Sequence, residues 1–319
     1  MKLTKKLLTL LLCLAMLALP VFTACGEDAP LHIIGLKGPT GMGMAKMMED
    51  STEEDYTFEL FGAPADVQAE IIKGAYDIAA VPSNLAAVLY QKTEGALQVL
   101  AINTTGVLYM LENGNTITDI SDLAGKTIYA TGQGSNPQYI LEYLLEANQI
   151  TDANVVYLAE HAELATKLAA GEVVIGMLPE PNVSSAMAQN KNLRIALNLT
   201  EEWEKVADGA PVQGCLVVRK ELLETRAGRK QVEEFLETYA ESVAFAVENV
   251  DEAATLIEKH GIVPKAALAK KALPNCNLCC VTGEAMKEML TPFLTVLFEA
   301  KPQSVGGQLP DNDFWYIND

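Results

Sequence analysis

Several residue patterns in this chain begin like catalytic motifs and stop short of completing one. Gly41-x-Gly43 follows a β-rich run, as a dinucleotide-binding turn does, but the third glycine of that fingerprint falls on Lys46. Gly125-Lys126-Thr127 has the end of a nucleotide phosphate loop, and the glycine required upstream is Ile120. The sequence holds no Gly-x-Ser-x-Gly elbow and no His-Glu-x-x-His helix. His32, His161 and His260 each lack a local metal-ligand partner. Cys276-x-x-Cys279-Cys280 has thiolate spacing, but zinc needs about four ligands, and the nearest histidine, His260, lies sixteen residues upstream. The triplet reads as small apolar side chains in a helix-to-strand connection, with one disulfide inside it as the alternative in an oxidising compartment. No catalytic residue, metal ligand or cofactor is expected.

What recurs is a polar or glycine-containing turn leading into a helix start, at 37–43, 82–84, 132–138 and 179–182. A helix N-terminus presents unpaired N–H groups and favours negative charge by about 0.3–1 kcal/mol. In open α/β sheets such turns gather at the carboxyl ends of the strands, in one crevice. The ligand-binding candidates they carry are Thr40, Gly41, Met42, Ser83, Asn84, Gln133, Ser135, Asn136, Tyr139, Glu180 and Asn182. Gln213, beside a later strand, is a hinge or cleft candidate. Backbone N–H groups at 40–43 and 134–136 are expected to hold polar ligand atoms, and Glu180 to orient a donor. Met42, Met44, Tyr109 and Tyr139 offer an apolar or stacking wall, with core packing as the competing fate of Met44 and Tyr139. Lys37 is the lone cation of these turns and none carries arginine. That favours a small neutral or amine-bearing polar organic solute, heteroaromatic ones included, over an oxyanion gripped by a guanidinium fork.

The elements that must position these turns alternate. β-rich runs at 31–36, 56–62, 77–81, 97–103 and 106–111 are separated by helical stretches, among them 66–74 and one capped by Ser83 or Asn84. The order then restarts, with strands at 126–131, 155–159 and 173–178 and helices after Ser135, at 163–171 and after Pro179. Gly74 precedes Pro82 by eight residues and Gly171 precedes Pro179 by eight. The fold class expected is therefore α/β, in two lobes of similar plan, each a mostly parallel sheet with helices on its faces. Lobe one is drawn as 31–114 plus 212–319, lobe two as 115–211. A strand at 214–219 returns to lobe one, and four helical stretches between 231 and 300 follow it, their apolar stripes read as core contacts.

A formal net charge of -19 repels phosphate backbones and excludes a nucleic-acid partner. A content of 50% hydrophobic residues excludes disorder. The one long apolar stretch is 7–19, so a multi-span permease is excluded. Basic residues at 2–6, that apolar run, and small Thr23 and Ala24 make an export signal over 1–24. Phe22-Thr23-Ala24-Cys25-Gly26 resembles the lipobox of bacterial lipoproteins, with Phe22 where leucine is usual. The resemblance implies acylation of Cys25, a short tether over 25–30 and attachment to the outer face of the bacterial cytoplasmic membrane. Acyl chains contribute roughly 0.8 kcal/mol per buried CH₂, so two anchor firmly. A plain cleaved signal and an uncleaved anchor helix are the alternatives. Three Asn-x-Ser/Thr patterns, at 103, 182 and 198, are discounted as glycosylation acceptors beside such a leader.

Asp122-Leu123-Ala124-Gly125-Lys126-Thr127-Ile128, Tyr76-Asp77-Ile78-Ala79, Pro82-Ser83-Asn84, Pro179-Glu180-Pro181 and the Gly38–Gly43 turn carry a wider likeness. On these residues most of the exported chain resembles the solute-binding proteins of ABC importers, in the nitrate/sulfonate/taurine/thiamine-precursor group. The resemblance implies a type II periplasmic-binding-protein-like fold. Ligand lies between the lobes, hinge strands bend, and the closed monomer docks on a permease coupled to its ATPase. Two other readings stay open: an enzyme on the same fold, as in relatives of menaquinone or thiamine-pyrimidine synthesis, and a sensor or adhesion lipoprotein.

Overall fold

The computed structural model describes residues 29–317. The export signal and Cys25 lie outside the described residues.

The first sheet is built on β1 (Leu31–Leu36), which pairs in parallel with β2 (Tyr56–Phe61) and β3 (Ile78–Pro82). Beyond β3 runs the antiparallel β10 (Gly214–Arg219), then β4 (Leu97–Thr104) and the edge strand β11 (Leu278–Thr282). The second sheet repeats the plan. Its β6 (Thr127–Ala130) is parallel to β7 (Asn154–Tyr157) and β8 (Ile175–Pro179), and antiparallel β5 (Leu108–Asn113) separates β8 from β9 (Leu193–Asn198). The orders are β11-β4-β10-β3-β1-β2 and β7-β6-β8-β5-β9. Two lobes of one plan are what the repeat in the sequence predicts. Its spacing has a local cause: Gly74 and Gly171, at φ 71° and 75°, close α3 (Pro64–Lys73) and α6 (His161–Ala170) in the left-handed conformation. Each then feeds a short buried strand ending on a proline, Pro82 or Pro179.

One boundary differs. Residues 108–113, assigned in the sequence reading to the first lobe, form β5 in the middle of the second sheet. A strand following closely on another suggests a hairpin, but here the backbone partners change between them. Thr105 N–H donates to Asn277 O at 3.2 Å, and Val107 O accepts from Glu180 N–H at 3.1 Å. The chain thus changes sheets at 105–107 and returns before β10. The strands β9 and β11 and the helix α8 (Leu199–Glu204) were not foreseen. Cys279 and Cys280 lie in β11, and all four cysteines of the described residues are free thiols. Burial pushes Cys280 up to about 11 and Cys279 to about 12, so neither is a ready thiolate.

Helices α1 (Pro39–Met42) and α2 (Ala45–Asp50) follow β1, and α4 (Ser83–Lys92) follows β3. In the second lobe α5 (Asn136–Ala147) and α7 (Asn182–Gln189) follow β6 and β8. The C-terminal helices α9 (Arg226–Glu248), α10 (Val250–Lys259), α11 (Ala266–Ala272) and α12 (Gly283–Ala300) complete lobe one. Against one face of the first sheet lie Met44, Met47, Phe235 and Tyr239, from α9 and the segment around α2. On the other, Val67, Leu89, Met286, Leu290 and Phe293 belong to a core that continues through Met110, Tyr139 and Trp203 of the second lobe. Among the described residues no helix is long and apolar enough to cross a membrane.

Trp203 carries that shared core across the lobes. Its ring is fully buried, 4.8 Å from Tyr143 of α5 and 5.4 Å from Phe293 of α12. Trp203→Ala is expected to lose about 3–5 kcal/mol of stability in urea denaturation. A loss under 1 kcal/mol would show that the two lobes do not depend on this contact.

Candidate functional site

Helices α4 and α5 start at the carboxyl ends of β3 and β6, one in each lobe, and the two starts meet. The Asn136 side chain, 1% exposed, donates through Nδ2 to Ser83 Oγ at 3.0 Å, Gln213 O at 2.8 Å and Val212 O at 3.3 Å. Ser83 Oγ donates to Val212 O at 2.5 Å, and Ser83 N–H to Gln213 O at 3.2 Å. Gln213 N–H in turn donates to Thr104 O at 3.0 Å. The returning crossover is therefore held from both lobes at once, by two helix starts and the end of β4.

A β-bulge adjoins this junction. Gly214 pairs with Thr104 and Cys215 with Ile102, which leaves Asn103 as the extra residue of β4. Asn103 Nδ2 donates to Thr40 O at 3.2 Å. Gly214 is fixed by this packing, since a Cβ there would come 2.5 Å from Asn103 Oδ1. Four buried polar atoms of this network have no protein partner: Asn103 Oδ1, Thr104 Oγ1, Asn136 Oδ1 and Gln213 Nε2. Buried polar atoms in folded proteins are ordinarily paired, with protein or with ordered water.

The sequence candidates divide accordingly. Thr40, Ser83, Asn136 and Gln213 are brought together. Asn84, though buried at the start of α4, turns to Ser304 O at 3.2 Å. Met42 is fully buried with Ala45, Ala246, Ile257 and Ile262, so it belongs to the core and not to a ligand wall. Gly41 is buried under the Leu36 carbonyl, and its N–H, like that of Met42, donates to Gly38 O at 3.0 Å. Gly134 N–H donates to Gln138 Oε1 at 2.6 Å, and Ser135 N–H to Gly132 O at 3.1 Å. These backbone donors, expected to hold ligand atoms, are spent inside their own turns. Gln133 is exposed and Ser135 half-buried, neither with a side-chain bond into the network. Tyr139 is buried in the shared core with Lys301 Nζ 5.7 Å from its ring centre, and burial raises its pKa.

Glu180 and Asn182 open α7. Glu180, 1% exposed, accepts from Ser184 N–H at 3.0 Å and Ser184 Oγ at 2.9 Å, which caps the helix. Its Oε1 also takes a long bond of 3.4 Å from Asn275 Nδ2, reaching over from lobe one. Burial pushes the carboxyl up, while the Ser184 and Asn275 donors pull it partly back. Tyr109 OH donates to Asn275 O at 3.2 Å, and the Asn277 amide donates to Gly106 O, so segment 275–277 straps the outgoing crossover. Asn182 is half-buried as the first residue of α7.

Sequence reasoning missed Asn103, Thr104, Thr131, His161 and Asn275 as members of this region. Thr131, buried where β6 ends, shares a 2.6 Å hydrogen bond with His161 Nδ1 at the start of α6. Burial pulls His161 below its ordinary value against the opposing charge of Glu160. The available signal for Asn103 and Thr104 was a polar pair ending a largely apolar strand. Among the described residues no group of three or more His, Cys, Asp or Glu side chains is placed to hold a metal ion. A surface hollow of about 680 Å³ between α5 and α12, lined by Tyr143, Lys205 and Pro292 among others, gathers none of the unpartnered atoms.

The fold is similar to that of an ABC transporter protein from Parabacteroides distasonis, at 25% identity and TM-score 0.78 over 92% of this chain and 100% of that one. The periplasmic aliphatic sulphonate binding protein SsuA from Escherichia coli matches at 17% identity and TM-score 0.71, over 92% and 93%. The periplasmic nitrate-binding protein NrtA from Synechocystis PCC 6803 matches at 13% and 0.55, over 77% and 70%. These neighbours agree with the nitrate/sulfonate likeness and the two-lobed fold expected from the sequence. No curated protein matches. The sequence model of the family described as "ABC transporter, phosphonate, periplasmic substrate-binding protein" matches residues 43–267. With most of its length inside that match, the chain belongs to this family of ABC-transporter substrate-binding proteins.

Proposed function

We propose that this member of the family is a lipid-anchored, monomeric receptor that holds a small neutral or amine-bearing polar organic solute between its lobes. It delivers that solute to a permease driven by its ATPase and performs no chemistry on it. The lobes are divided at the crossovers 105–107 and 205–213. The observation that carries the reading is the meeting of α4 and α5 at Val212 and Gln213, with four hydrogen-bonding atoms left unpartnered there. A cleft whose floor is a crossover couples what it holds to the angle between lobes. The anchor rests on the lipobox-like run ending at Cys25. A phosphonate or sulfonate solute is the second reading, favoured by the family's description and by the sulphonate-binding neighbour.

A thermal-shift screen of heteroaromatic amines and neutral polar solutes against phosphonates and sulfonates separates the two readings. Stabilisation by the former is expected, and stabilisation by oxyanions alone selects the second. Replacing Cys25→Ala is expected to abolish incorporation of labelled fatty acid and to shift the protein from the membrane fraction to the soluble fraction. Unchanged labelling would reject the anchor.

Glu180 adds a pH test of lobe contact. Its folded pKa is raised, so the folded chain binds this proton more tightly than the unfolded chain. The contribution to stability is full below the ordinary value of 4.5 and is lost as pH rises through the raised value. Glu180→Gln is expected to melt higher than the parent at neutral pH, with the difference closing toward pH 4.5. A difference independent of pH in calorimetry would mean that burial of this charge costs nothing.

A further inference from the structure

The network at the crossovers also restricts what kind of chemical group it can hold, an inference that rests on the receptor reading above. The amide orientations of Asn103 and Asn136 are set by the carbonyls that they face. Asn136 Nδ2 faces Ser83 Oγ and the carbonyls of Val212 and Gln213, which accept, so Oδ1 is the end left unpartnered. Asn103 Nδ2 faces the Thr40 carbonyl, so here too Oδ1 is left. Gln213 contributes a buried amide end that no side-chain bond orients, so it donates or accepts, and Thr104 contributes a hydroxyl that does both. The set is thus two acceptors and two groups of either kind. Its own bonds run between amides, hydroxyls and backbone groups, with no lysine or arginine among them.

A sulfonate carries acceptors only at its charged end and would leave both asparagine oxygens opposed to its own; a phosphonate monoanion adds a single P–OH donor, which meets one of them and leaves the other opposed. Desolvating an anion without a cation or a full set of donors is costly. An ammonium would satisfy the oxygens but would bury its charge among bonds that include no carboxylate. A neutral group with an N–H or O–H donor beside an acceptor satisfies both kinds of atom. We propose that the solute is recognised through an uncharged donor–acceptor face, of the carboxamide, urea or amino-heterocycle kind, by Asn103, Thr104, Asn136 and Gln213.

The first measurement is mass spectrometry of small molecules released from natively purified full-length protein. The solute expected has no net charge at neutral pH and bears an N–H or O–H donor next to an acceptor. A retained phosphonate, sulfonate or other charged solute overturns the proposal and leaves the receptor reading standing. Where nothing is retained, calorimetric titration with nicotinamide, cytosine, methylphosphonate and methanesulfonate decides. Binding of a neutral probe is expected; heat from the oxyanions alone overturns the donor–acceptor class. No binding by any probe and no retained solute overturns the class and the receptor reading together. Thr104→Val and Gln213→Met keep side-chain size while removing one unpartnered group each, and each is expected to weaken the retained solute or neutral probe about tenfold. Wild-type affinity in both variants, with folding verified by circular dichroism, overturns the assignment of these residues.

Discussion

Two carbonyl groups, those of Val212 and Gln213, are the point on which the two halves of the molecule agree. They lie on the crossover that returns the chain to the first sheet, and buried carbonyls demand donors. Ser83 supplies one side from the start of α4, and Asn136 supplies the other from the start of α5 in the opposite lobe. A single amide donating across the lobes makes the helix starts, the crossover and the end of β4 one hydrogen-bonded unit. Anything that shifts one lobe must break or remake these bonds, each worth about 0.5–1.5 kcal/mol net.

The exchange of strands explains why this point is central. In each sheet the antiparallel strand between its neighbours is the one next to a crossover: β5 in the second sheet, β10 in the first. Each lobe is thus stitched through its middle and not at an edge. The straps follow from the same topology. Segment 275–277 of lobe one bonds the outgoing crossover at Thr105 and Gly106, and meets Tyr109 and Glu180 beyond it. The sulfur triplet beside it consists of free thiols. Cys276 is buried and Cys279 and Cys280 are strand residues, their thiols held neutral by burial.

The repeated architecture was legible because its signals are local. A left-handed glycine after a helix, a short apolar run and a terminal proline recur at one spacing, and backbone sterics alone enforce each of them. The sheet change at 105–107 was not legible, since strand partnership is a long-range choice that no window of sequence contains. The site was half legible for the same reason. Ser83 and Asn136 could be picked out as helix starts, and Gln213 by its place before a strand. Met42 looked like part of a cleft loop, and only the packing of α10 against that loop shows it buried among alanines and isoleucines. The donors at Gly41 and Gly134 were misjudged because a turn can satisfy its own N–H groups, which position in the chain does not reveal. Asn103 needed the bulge in β4, and a bulge is a property of two strands together.

Polar atoms left unpartnered at a joint between lobes have a thermodynamic meaning. Each buried donor or acceptor without a partner costs about 1–3 kcal/mol. Only Asn136 comes from the second lobe, so lobe contact buries its Oδ1 beside the unpartnered atoms of Asn103, Thr104 and Gln213, a cost that remains unless some group meets them. A solute that does so interacts with the closed arrangement more strongly than with an open one, and this difference is what a ligand needs to shift a conformational equilibrium. The apolar contact of Trp203 with Tyr143 and Phe293 acts in the other direction, drawing the lobes together whatever occupies the cleft. Balanced against each other, an unspecific apolar attraction and a specific polar demand let chemical complementarity in a small network decide the shape that a permease would meet.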